Sequence, residues 1–79
     1  MNKVQKAMFD DMKISRGIPF AKVGMHVNVD GKLGVIVGSN NSNNLQVQLS
    51  GFASSSNCHP HWRIKYFDDN GNVIKEYGD

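Results

Sequence analysis

Apolar and polar residues follow two different rhythms along the chain, and the change falls near Gly17. From Asn2 to Arg16, Val4, Met8 and Met12 recur every four residues with Ala7 beside them, the spacing of one face of a short helix. Asn2 suits the N-cap. Lys13 and Arg16 fall in the last turn, where they oppose the negative end of the helix dipole, and Gly17 accepts the left-handed conformation that closes a helix. Ile18-Pro19-Phe20 follows as an extended or turned connector, because proline disfavours the α region in the residue before it.

Beyond the connector the period becomes two. Met25-His26-Val27-Asn28-Val29 alternates apolar with polar and predicts a first strand with His26 and Asn28 outward. Asp30-Gly31 is a tight-turn signal leading into Leu33-Gly34-Val35-Ile36-Val37, so the two strands form a hairpin. A polar loop, Gly38 to Asn44, precedes the alternating Leu45-Gln46-Val47-Gln48-Leu49. Trp62 to Phe67 predicts a fourth strand, with Trp62, Ile64 and Tyr66 on the core side and Arg63, Lys65 and Phe67 on the other. Asp69-Asn70-Gly71-Asn72 turns the chain into a fifth strand, Val73 to Tyr77. The long connection from Ser50 to His61 is the predicted working loop.

The expected fold is therefore mainly β: one domain over 1–79, with a helix over 1–17 and a five-stranded antiparallel barrel over 22–79. Curling five short strands into a barrel removes most exposed edges. Val23-Gly24-Met25-His26-Val27-Asn28-Val29-Asp30-Gly31-Lys32-Leu33-Gly34-Val35-Ile36-Val37 resembles the start of a KOW-like module, a member of the Src-homology-3-like small-barrel class. Asn57-Cys58-His59-Pro60-His61-Trp62, with Tyr66-Phe67-Asp68 and Asn70-Gly71-Asn72, resembles short proteins of tailed phages and prophages. The first resemblance implies binding of RNA or protein rather than catalysis; the second brings no catalytic residues with it.

Length and composition narrow the possible functions. A chain of 79 residues holds one core and little room for a deep pocket, which argues against an elaborate enzyme. The lone cysteine, Cys58, has no partner for an intramolecular disulfide, and the N-terminal region lacks a secretory apolar run, so a reducing cytoplasmic setting is expected. No stretch reaches the roughly 20 apolar residues that cross a bilayer. A formal charge of +2 permits a nucleic-acid partner without demanding one.

Candidate chemistry is spread over three places. Cys58, His59 and His61, with His26 if the fold brings it near, have the donor types of a zinc site but not the usual paired spacing, so no metal or other cofactor is expected. A Cys58–histidine nucleophile would need an activated thiol and an oxyanion site, and Asp68 and Asp69 read as turn residues; no catalytic residue is assigned. The remaining chemistry is that of binding, with no membrane and no small-molecule substrate implied. For a nucleic acid the candidate residues are His26, His59, His61, Arg63, Lys65 and Phe67, combining phosphate neutralisation with stacking. For a protein partner they are Phe52 and Trp62 of the 50–62 loop.

Overall fold

The computed structural model describes residues 2–78, and the first and last residues of the expected 1–79 domain lie outside them. Helix α1 runs Lys3–Ser15 and is followed by strands β1 (His26–Val29), β2 (Lys32–Ser39), β3 (Leu45–Leu49), β4 (Ser56–Cys58), β5 (Ile64–Phe67) and β6 (Val73–Tyr77). All six strands form one antiparallel sheet in the order β4-β3-β2-β1-β5-β6. The expectation of five strands closed into a barrel is corrected on both points. The long 50–61 connection contains β4, which pairs Cys58 with Leu45 and Ser56 with Val47, and among the described residues no pairing joins β4 to β6 to close the sheet. β4 escapes a pattern-based reading because it is three residues long and mostly polar.

The inner face of the sheet carries Val27, Val29, Ile36, Leu45, Val47, Leu49, Cys58, Ile64 and Tyr66, all buried. Phe9 and Met12 of α1, with Ile18 and Ala21 of the connector, complete this core. Each of the Val, Leu, Ile, Met and Phe side chains among them contributes about 1.5–3 kcal/mol of burial free energy. Helix α1 starts as its sequence predicts: the Asn2 side chain accepts from the Gln5 amide, and Gln5 reaches back to the Asn2 amide to complete a capping box. Gly17 closes it at φ 69°.

Three residues do not lie where periodicity puts them. Val4 is 72% exposed and Ala7 is exposed as well, because the buried stripe runs through Phe9 and Met12 and leaves Val4 about 110° and Ala7 about 170° around the helix from its centre. Trp62 is 49% exposed rather than part of the core. The cause is Arg63, which has φ 47°; a left-handed residue breaks strand alternation, so β5 begins only at Ile64 and Trp62 is released from the face of Ile64 and Tyr66. Asp30, at φ 52°, supports this corner: its amide donates to the Arg63 carbonyl at 2.8 Å, and its carboxylate takes Arg63 Nη1 at 3.1 Å.

Gly34 stands between Val27 of β1 and Leu49 of β3, where the sheet leaves no room for a side chain. A Cβ added there would stand 2.7 Å from Val47 Cγ1 and 3.0 Å from both the Gln48 carbonyl oxygen and Leu49 Cδ2. Gly38, further along β2, has nothing within 4 Å of the same position. Gly34→Ala is therefore expected to destabilise the fold by about 1–3 kcal/mol through overpacking, with Gly38→Ala costing clearly less. Urea unfolding of the two variants against the parent tests this, and equal midpoints for the two would contradict it.

Candidate functional site

The strand registers map the outer face of the sheet in rows. One row runs Glu76, Lys65, Asn28, Leu33 across β6, β5, β1 and β2; another runs His26, Val35, Gln48 across β1, β2 and β3. Where the second row meets the loops after β3 and β5, the surface hollows into an open groove of about 920 Å³. Leu33, Val35, Phe52 and Phe67 give it apolar walls, His26 and Gln48 are also part of its lining, and Asp68 to Gly71 form one rim. Leu33 is 59% and Phe52 48% exposed, so a considerable apolar area faces solvent here. The Phe52 loop is tied down by Gln48, whose Nε2 donates to the Phe52 carbonyl at 2.6 Å. The opposite rim is fixed by Asp68, which accepts from the amides of Asn70 and Asn72, each at 2.9 Å, as a turn residue should. The amide of Asn72 foremost, with those of Asn70 and Gly71 and the Asn72 side chain, holds the Asp68 carboxyl below its usual range against the opposing effect of desolvation.

The residues expected to form a nucleic-acid surface do not assemble in one place. His26 and Phe67 line the groove, whereas Lys65 stands one row away, opposite Asn28 on one side and Glu76 on the other. Arg63 is at the left-handed corner, ion-paired to Asp30 and 5.8 Å over the Trp62 ring. Of the two residues expected to form a protein contact, Phe52 is in the groove and Trp62 is outside its lining.

His59 and His61 belong to a different structure, centred on Arg16 at the end of α1. Arg16 Nε donates to the Asn43 carbonyl at 2.8 Å and Nη2 to Asn44 Oδ1 at 2.9 Å, fixing the helix to the β2–β3 loop. His61 Nε2 donates to the Arg16 carbonyl at 2.6 Å, and the His61 ring stacks on Tyr77 at 4.4 Å between centroids. The His61 amide donates to His59 Nδ1 at 3.1 Å, while Arg16 Nη1 lies 3.3 Å from His59 Nε2. A ring facing donors on both nitrogens has no good place for a second proton. Partial desolvation first, then the charges of Arg16 and His61, lower the His59 pKa.

The thiol of Cys58 is buried, and burial pushes its pKa up, away from the thiolate that nucleophilic or metal chemistry needs. Among the described residues no group of three or more His, Cys, Asp or Glu side chains is placed to hold a metal ion. Among the described residues no helix is long and apolar enough to cross a membrane. Comparison with family models, curated proteins and solved structures found no match to this chain, so the reading of the site stands on its geometry.

Sequence reasoning missed Leu33 and Val35 as outer-face residues and Arg16 as a tie. The first was signalled by the apolar residues at both alternating positions of β2, a strand that leaves no polar face. Nothing local signals the second, because the partners of Arg16 lie 26 to 45 residues away.

Two outcomes follow from the Arg16 tie. Arg16→Ala is expected to lower stability by about 1.5–3 kcal/mol, the worth of a charged hydrogen-bonded group, as read from its urea midpoint. The His59 pKa lies below its ordinary 6.5 in the folded chain, so the unfolded chain binds more protons in the window just beneath that value. Stability contributed by neutral His59 is thus complete above about pH 6.5 and is lost as pH falls through that window. Urea midpoints from pH 7.5 to 5 should decline in the parent and flatten in His59→Gln; an identical slope in both would rule His59 out as the source.

Proposed function

We propose that the protein is a non-enzymatic binding module whose outer-face groove takes an extended segment of another protein. The observation that carries this is the lining of the groove: exposed Leu33 and Phe52 with half-buried Val35 and Phe67, and Asp68 and Asp69 as the charged residues among them. An apolar centre with a polar rim is the anatomy of a protein contact, and aromatic residues are its usual anchors. A binding role also agrees with the likeness of residues 23–37 to a KOW-like module, and a cytoplasmic setting with the reduced, buried Cys58.

Five of the nine lysines and arginines are already engaged and so are arranged less favourably for a phosphate backbone. Lys6 and Lys13 pair with Asp10, Lys22 with Asp69 and Arg63 with Asp30, and Arg16 is held within the fold. One observation favours the second reading, a single-stranded nucleic acid: the exposed Trp62 ring, with Arg63 above it, offers a face on which an unpaired base could stack.

Selection of random twelve-residue peptides displayed on phage against the immobilised full chain separates the two. Enriched peptides rich in aliphatic and aromatic residues are expected, binding Phe52→Ala at least about tenfold more weakly, the loss typical of an interface anchor. Binding of oligo(dT) abolished in Trp62→Ala, with peptides indifferent to Phe52, would reverse the assignment.

A further inference from the structure

We infer that the partner segment is basic: a lysine or arginine side chain lies against Phe52 and Phe67 and carries its cationic head to the carboxylates of Asp68 and Asp69. The inference rests on the reading of the groove as a protein-docking site and specifies the chemistry of what docks. Four properties of the groove support it together.

The charged residues lining it are both acidic. The two carboxylates differ in how far the protein already satisfies them. Asp69 is 3.3 Å from Lys22 Nζ. Asp68 takes part in no ion pair among the described residues; its hydrogen bonds come from backbone amides and the Asn72 side chain. Those neutral donors favour the ionised form of Asp68 without cancelling its charge, so a negative charge is held at the rim by the hydrogen bonds of its own turn.

The aromatic walls act in the same sense. The face of a phenylalanine ring attracts a cation, and Phe52 and Phe67 bring two such rings to the groove that Asp68 and Asp69 rim. The long methylene stem of lysine or arginine is itself apolar and covers surface such as that of Leu33 and Val35, while its head stays at the wet rim. A neutral apolar segment would cover the walls but partly desolvate Asp68 with nothing to offset it. An acidic segment or a phosphate chain would meet like charge. Arginine suits the site better than lysine, because its planar guanidinium stacks on a ring while its edge donates to a carboxylate.

The test is a titration of the isotope-labelled full chain, followed by amide shifts in NMR, with three peptides: acetyl-Leu-Arg-Leu-Arg-Leu-amide and its counterparts with glutamine or glutamate in place of arginine. The arginine peptide is expected to bind tightest, to shift residues 33–35, 48–52 and 67–71, and to weaken with added salt. In Asp68→Asn, which keeps an oxygen to accept the turn's amides, its affinity should fall about two- to fivefold while that of the glutamine peptide is unchanged. Asp69→Asn provides the same comparison should the first variant disturb the turn. Equal binding of the arginine and glutamine peptides at those residues would overturn the basic partner and leave the docking groove standing. Failure of all three to shift them would overturn both, and so would oligo(dT) shifting them where the peptides do not.

Discussion

A six-stranded sheet with one apolar face has to be covered, and here one thirteen-residue helix and a short connector do the covering. A helix of that length is marginal alone, so its position depends on being pinned. Arg16 pins it. Its guanidinium bonds the β2–β3 loop, its carbonyl receives His61, and His61 in turn stacks on Tyr77 of the last strand. One residue just past the helix therefore joins the first element of the chain to its middle and its end. Tyr66 adds a second tie on the same side, its buried hydroxyl donating to the Pro60 carbonyl at 2.7 Å and so holding the 59–61 segment down. These contacts explain why the histidines that look most like chemistry in the sequence are occupied with structure.

The same arrangement decides which side of the sheet remains available. With Phe9 and Met12 of the helix and Ile18 and Ala21 of the connector packed into the inner core, the opposite face keeps its exposed and half-buried side chains, and its rows are visible as alternating positions in β1, β2, β3 and β5. Two loops raise its margins, one tethered by Gln48 and one by Asp68. The groove is thus a product of the sheet's one-sided covering together with two short-range hydrogen-bonded turns. It needs no cavity in the core, which a chain of 79 residues could hardly spare.

Much of the fold was legible because its signals are local. The helix cap at Asn2, the glycine stop at Gly17, the Asp30-Gly31 hairpin, the alternation of β1 and β3 and the Asn70-Gly71 turn before β6 each depend on neighbours within a few residues. What was not legible depends on tertiary context. β4 is recognisable only as the partner of Leu45 to Val47. The left-handed Arg63 is held by Asp30, a residue distant in sequence, and that single dihedral moves Trp62 from the expected core to the surface. Likewise the alternation of Trp62 to Phe67 is real in composition and false for its first member.

The candidate site was half legible for a related reason. Sequence shows which residues can bind something, and it placed His26, Lys65 and Phe67 correctly on one face of the sheet. It does not show what already engages them. Lysine and arginine count as binding chemistry in a linear chain, yet here Lys6 and Lys13 share Asp10, Lys22 meets Asp69 and Arg63 meets Asp30. Pairing of this kind adds little stability at an exposed surface, but it redistributes the field. A chain of net positive charge ends with carboxylates at the rim of its apolar groove. The sign of the whole molecule is therefore a poor guide to the sign its partner must carry, and the local field beside Phe52 and Phe67 is the one a docking segment meets.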